Sequence, residues 1–208
     1  MKLQISFDLT DLDKALSIAT QVADYVDVFE VGTLLIFKHG TKAIESFQQE
    51  FSQKIILADT KIADRGKDTI NLIAGAGADW MTVLAGTSND VIHSVCTAAQ
   101  EIKKKVMVDL IDAKTLGQSA LEAKNLGASA LLFHQPHDEK ESRTFLDNWE
   151  MVRGNTQLPI YVSGKIKRDT VDQFIVLRPA GLVIGKSIIE AQNPREEAQF
   201  FYELCNKE

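Results

Sequence analysis

The chain has 208 residues, 45% of them hydrophobic and 25% charged, with a formal net charge of -6. That is long enough for one domain with a sizeable core, and too acidic for non-specific nucleic-acid binding, which needs a basic surface. No apolar stretch approaches the ~20 residues that span a membrane, and the opening Met1–Asp8 lacks the apolar run of a signal peptide, so a cytoplasmic protein with neither a membrane nor a nucleic-acid partner is expected.

Taken in chain order, eight short runs rich in Val, Ile and Leu alternate with amphipathic stretches. Leu3–Phe7 leads to Asp8, and Asp11 then stands as the N-cap of a helix with Leu12, Ala15, Leu16 and Ala19 at helical spacing. Val26–Val31 carries Glu30 and precedes a helix marked by Ala43, Ile44 and Phe47. Lys54–Ala58 runs into Asp59, with Lys61 and Asp64 directly after it. Ile70, Ile73 and Ala74 mark the next helix, which Gly75-Ala76-Gly77-Ala78 ends. Trp80–Leu84 follows, then a helix through Val91, Val95 and Ala98, then Val106–Leu110, containing Asp109. A helix over Leu116–Leu126 stops at Gly127, and Ala130–Phe133 leads to His134. Phe145–Val152, Val171–Ile175 and Glu196–Leu204 read as helices around the strands Pro159–Val162 and Gly181–Ile184. The strands run into Ser163-Gly164-Lys165 and Gly185-Lys186-Ser187. Cys96 and Cys205 lack metal-ligand spacing and read as reduced thiols on helices.

Runs apolar throughout are strands covered on both faces, and β-α alternation gives a parallel sheet. Eight units predict a closed (β/α)8 TIM barrel, in a single domain over 1–208. The rival, an open doubly wound sheet, lacks a Gly-x-Gly-x-x-Gly after the first strand.

In such a barrel the active site lies at the carboxyl ends of the strands. Asp8, Glu30, Asp59, Asp64 and Asp109 would crowd carboxylates into one mouth, and their repulsion must be offset by cations. Lys61 can supply one, and a divalent metal another. Oxygen-only ligands point to Mg²⁺ rather than Zn²⁺. Histidine titrates near neutral pH, which makes His134 the proton-transfer candidate. Gly164 and Lys165 with Gly185 and Lys186 read as a phosphate cradle, glycine letting backbone N–H groups approach an anion.

Leu57-Ala58-Asp59-Thr60-Lys61-Ile62-Ala63-Asp64 carries Asp-x-Lys-x-x-Asp, and with Phe29-Glu30-Val31-Gly32-Thr33 and Ser6-Phe7-Asp8-Leu9 the chain resembles the orotidine 5′-phosphate decarboxylase suprafamily. It is most similar to the branch holding 3-hexulose-6-phosphate synthase and 3-keto-L-gulonate-6-phosphate decarboxylase. The resemblance implies that Glu30 and Asp59 bind Mg²⁺ and that Lys61 stands beside a cis-enediolate of a ketopentose phosphate. It implies further that Asp64 crosses a homodimer interface into the neighbouring site, that His134 transfers a proton and that Asp8 binds substrate, with His137 and Ser163 as the further substrate-binding candidates. Gly164, Gly185 and Lys186 fall on the phosphate site. The two activities divide the remaining signals. Asp109 is the synthase residue, and His137 stands where the decarboxylases carry an arginine. Ile62-Ala63-Asp64-Arg65-Gly66-Lys67 leans to the decarboxylases. Ser163-Gly164-Lys165 departs from both patterns: Lys165 either adds a phosphate contact or reshapes the cradle. The balance favours the synthase. A metal-free orotidine decarboxylase and a non-catalytic sugar-phosphate binder are weaker alternatives, since a pure binder needs no lysine held among carboxylates.

Overall fold

The computed structural model describes residues 1–135 and 145–207. Eight parallel strands close into a barrel in sequence order, β1 pairing with both β2 and β8. They are β1 Lys2–Phe7, β2 Val28–Val31, β3 Ile55–Ile62, β4 Trp80–Leu84, β5 Lys105–Asp109, β6 Ala130–His134, β7 Ile160–Ser163 and β8 Gly181–Ile184. The helices are α1 Leu12–Val22, α2 Thr33–His39, α3 Thr41–Glu50, α4 Gly66–Gly75, α5 Asn89–Glu101, α6 Leu116–Asn125, α7 Phe145–Arg153, α8 Asp172–Ile175, α9 Lys186–Ile189 and α10 Pro194–Cys205. The expected closed barrel is present.

Local chemistry explains the boundaries. Asp11 caps α1 as expected, its carboxylate accepting from Lys14 N–H at 3.0 Å. Gly77 (φ +103°) and Gly127 (φ +95°) follow α4 and α6 in the left-handed region, and the next N–H groups, of Ala78 and Ala128, reach back to the carbonyls of Ile73 and Ala123. Cys96 on α5 and Cys205 on α10 are free and buried, and burial pushes their thiols up to about 12 and about 11. No helix among the described residues is long and apolar enough to cross a membrane.

Two expectations needed correction. The third strand does not stop at Ala58 but continues to Ile62, so Lys61 lies on the strand and not after it. The eight expected helices become ten among the described residues, the clearest addition being α2 between β2 and α3.

Strand residues alternate between two cores. Outward residues such as Phe7, Phe29, Ile56, Val83 and Leu131 join the helices in the larger core. Its aromatic centre sets Phe47 of α3 5.2 Å from Phe7, and Phe29 4.6 Å from Phe51. Inward residues Val28, Leu57, Met107, Leu132, Tyr161 and Val183 form a separate apolar plug. Buried polar residues collect on the same inward face: Gln4, Ser6, Glu30, Asp59, Thr82 and Asp109. An interior that is apolar in one layer and polar in another carries a desolvation cost for the polar layer, and that layer builds the site.

Candidate active site

A cavity of about 570 Å³ opens at the carboxyl ends of the strands. Its wall includes Asp8, Glu30, Thr33, Asp59 and Lys61 on one side, His134 beyond them, and Ser163, Gly164, Lys165, Gly185, Lys186 and Ser187 on the other. A second cavity of about 620 Å³ lies where Pro159 and Ala180 lead into β7 and β8. No strand's carboxyl end lines it, so size alone does not mark the site.

Glu30 is held from β1. Gln4 Nε2 donates to Oε2, while Ser6 Oγ lies 2.9 Å from Oε1 and 2.8 Å from Asp8 Oδ2. One hydroxyl proton cannot serve two ionised carboxylates. The Glu30 carboxyl is pushed up to about 8, first by burial and then by the charges of Asp59 and Asp8, against the bond from Gln4 and the charge of Lys61. This corner of the cavity is short of positive charge.

Lys61 answers part of that deficit. Its Nζ donates to Asp59 Oδ2 at 2.6 Å and lies 3.5 Å from Asp109 Oδ2. Burial acts to lower the ammonium's pKa. The charges of Asp59 and Asp109, the bond to Asp59 and the charge of Glu30 outweigh it, and the net shift is upward. Lys61 is therefore a fixed cation at neutral pH. Asp59 also accepts from Thr33 Oγ1 at 2.8 Å and from Thr82 Oγ1 at 2.8 Å. Asp109, fully buried, accepts from Ile111 N–H at 3.0 Å, and His134 Nδ1 stands 3.2 Å from its Oδ2. A continuous array thus runs Asp59, Lys61, Asp109, His134.

The expected residues are not all brought together. Asp64 does not join the crowd of carboxylates: it is exposed, lines no part of the cavity, and accepts from the N–H of Arg65 at 2.7 Å. His137 lies outside the described residues. Among the described residues no group of three or more His, Cys, Asp and Glu is arranged to hold a metal ion by itself. Gln4 and Thr82 escaped the sequence reading, and Ser6 and Thr33, though inside the motifs that carry the resemblance, were given no role. Their signal was a polar residue within, or just after, a strand buried on both faces.

Two glycines serve the site by absence of bulk. A Cβ on Gly164 (φ +153°) would come within 2.6 Å of Gln135 Cβ. A Cβ on Gly32 would lie 2.7 Å from the Phe7 carbonyl and closer still to the Asp8 carboxylate. Gly32→Ala should therefore displace Asp8 and cost about 1–3 kcal/mol of stability, read as a lowered urea midpoint at unchanged slope.

A model of the orotidine 5'-phosphate decarboxylase / HUMPS family matches residues 1–201. A 3-hexulose-6-phosphate synthase from Bacillus subtilis is 30% identical over 206 residues, which are 98% of either chain. The crystal structure of 3-hexulose-6-phosphate synthase from Salmonella typhimurium superposes with a TM-score of 0.93 at 32% identity, covering 99% of this chain and 98% of that one. The crystal structure of KGPDC from Streptococcus mutans, solved as a ligand complex, superposes with a TM-score of 0.91 at 28% identity, over 98% and 96% of the two chains. With a barrel of this topology and a match over nearly its whole length, the chain belongs to the orotidine 5'-phosphate decarboxylase / HUMPS family.

Proposed function

We propose that the protein is a Mg²⁺-dependent lyase of ketose phosphates, and that its reaction is the aldol condensation of ribulose 5-phosphate with formaldehyde. The observation that carries this reading is the array in which Lys61, cationic between Asp59 and Asp109, shares Asp109 with His134. It offers one substrate a fixed positive charge and a proton acceptor side by side.

Glu30 and Asp59 are the metal ligands in this reading. They are oxygen donors on adjacent strands and belong to a corner short of positive charge. Two carboxylates suffice, because Mg²⁺ usually keeps several waters and takes further oxygens from the substrate. When bound, Mg²⁺ supplies the positive charge that stabilises the oxygens of an enediolate.

The protein's own groups do the rest. A carboxylate accepts only, so Asp109 opposite Nδ1 favours the tautomer with the proton on Nδ1 and leaves Nε2 as the base. Nε2 takes the proton from the carbon beside the substrate carbonyl, and Lys61 Nζ stabilises the charge that develops on oxygen. The enediolate carbon then bonds to formaldehyde, whose oxygen receives a proton. Ser163, Gly164, Lys165, Gly185 and Lys186 hold the phosphate at the far wall, with Asp8 on the sugar hydroxyls.

Activity should vanish in excess chelator and return with Mg²⁺, and product should form from ribulose 5-phosphate plus formaldehyde. Full turnover in chelator would remove the metal from the reading. Turnover of 3-keto-gulonate 6-phosphate alone would instead favour the decarboxylase, a reading supported by the likeness to KGPDC.

The position of Asp64 outside its own cavity supports a homodimer in which it serves the neighbouring site. Mixing inactive Lys61→Ala with inactive Asp64→Ala should regenerate activity in hybrid dimers. Proven subunit exchange without recovery would rule the shared site out.

A further inference from the structure

We infer that Thr82, a buried residue of β4 that does not reach the cavity, is the positioning residue that sets Lys61 and Asp59 in working geometry. This rests on the roles proposed for those two residues.

The pairing of β3 with β4 slips at the site. Ala58 pairs with Met81 and Ile62 with Val83, so a step of four residues on β3 faces a step of two on β4. The surplus is absorbed at Lys61, whose φ of +45° is in the left-handed region. A side chain is rarely kept there unless its surroundings over-determine it.

Thr82 provides that determination through one hydroxyl. Lys61 N–H donates to Thr82 Oγ1 at 2.9 Å, and the same Oγ1 donates to Asp59 Oδ1 at 2.8 Å. Both directions are fixed, because a backbone N–H can only donate and a carboxylate only accepts. The Thr82 carbonyl also accepts from Thr60 Oγ1 at 3.0 Å. Thr82 thereby binds three successive residues of the bulge, and its hydroxyl couples the backbone of the cation to the side chain that the cation pairs with. Valine would keep the shape, strand the Lys61 N–H and leave Asp59 one donor short. Serine would lose a methyl and keep the link.

The test is solvent-deuterium exchange into ribulose 5-phosphate, followed by NMR with the full chain and Mg²⁺. Thr82→Val should slow exchange by about 10²-fold, the scale of a small misplacement of reacting groups, with KM changed less than about twofold. Thr82→Ser should restore most of the rate. Packing alone predicts the opposite order, valine harmless and serine harmful. Amide exchange supplies a readout apart from turnover: Lys61 N–H should lose protection in Thr82→Val and keep it in Thr82→Ser. Wild-type exchange in Thr82→Val, or serine as slow as valine, overturns the assignment. If Thr82→Val does not fold, Thr82→Ala replaces it, and equal rates for alanine and serine overturn the assignment in the same way. Lys61→Ala separates the two levels. Wild-type exchange there sinks the functional reading, whereas a slow Lys61→Ala beside a fast Thr82→Val sinks only the role of Thr82.

Discussion

Replacing His134 with asparagine should lower kcat by about 10²–10⁴-fold, the usual contribution of a positioned acid–base group. KM for the sugar phosphate should barely move, because the proposed phosphate wall belongs to β7 and β8 and the loops that follow them. Asparagine keeps much of the shape and can still donate to Asp109, so the loss isolates the proton-accepting nitrogen. The sharpest measurement is deuterium exchange into ribulose 5-phosphate without formaldehyde, which reports proton removal alone. Exchange at the wild-type rate in His134→Asn would show that the base is elsewhere. Lys61 is then a poor substitute: its pKa is raised by Asp59 and Asp109 despite burial, so it keeps its proton at neutral pH. Lys186→Ala should give the reverse pattern, a raised KM with a smaller loss of kcat.

Lys61→Ala should lower turnover by a comparable factor and, unlike His134→Asn, should also destabilise the fold. A preorganised cation at the developing oxyanion is expected to be worth about 10³-fold in kcat. The same ammonium neutralises Asp59, whose side chain is 6% exposed, and Asp109, which is fully buried. Removing one partner of a fully buried ion pair costs about 3–5 kcal/mol. Since the Lys61 side chain is itself 28% exposed, a value below that range is expected. Calorimetry and steady-state kinetics on one preparation test both halves. An unchanged melting temperature would mean that the Lys61 ammonium does not hold the two aspartates in the folded state.

The barrel was legible because strands covered on both faces must be apolar throughout, and because Gly77 and Gly127 mark helix ends that few other residues can make. The end of β3 was not. Asp59, Thr60 and Lys61 are polar, and a run of polar residues reads as a chain leaving the core, although here it turns into a polar interior. Helix α2 was missed for the opposite reason: Leu34 and Phe37 are exposed, so its apolar residues do not trace a buried stripe. Among the site residues, the charged ones at strand ends were visible by type and position. Their neutral supports were not, since a lone Gln4 or Thr82 in an apolar run has no spacing to mark it. Asp64 was readable as a motif residue but not as a place, because its position depends on where the chain goes after the bulge.

The barrel closes by pairing its first strand with its last, Lys2 with Gly181 and Ile5 with Ile184. That seam brings the carboxylates of β1 to β3 into one cavity with the glycine-lysine loops after β7 and β8. In chain order the acidic half comes first, and the glycine-lysine loops join it only when the last strands dock. A ligand that touches both halves stitches the seam from the inside, so its binding energy acts on closure itself and should most strongly slow the opening of β1 from β8.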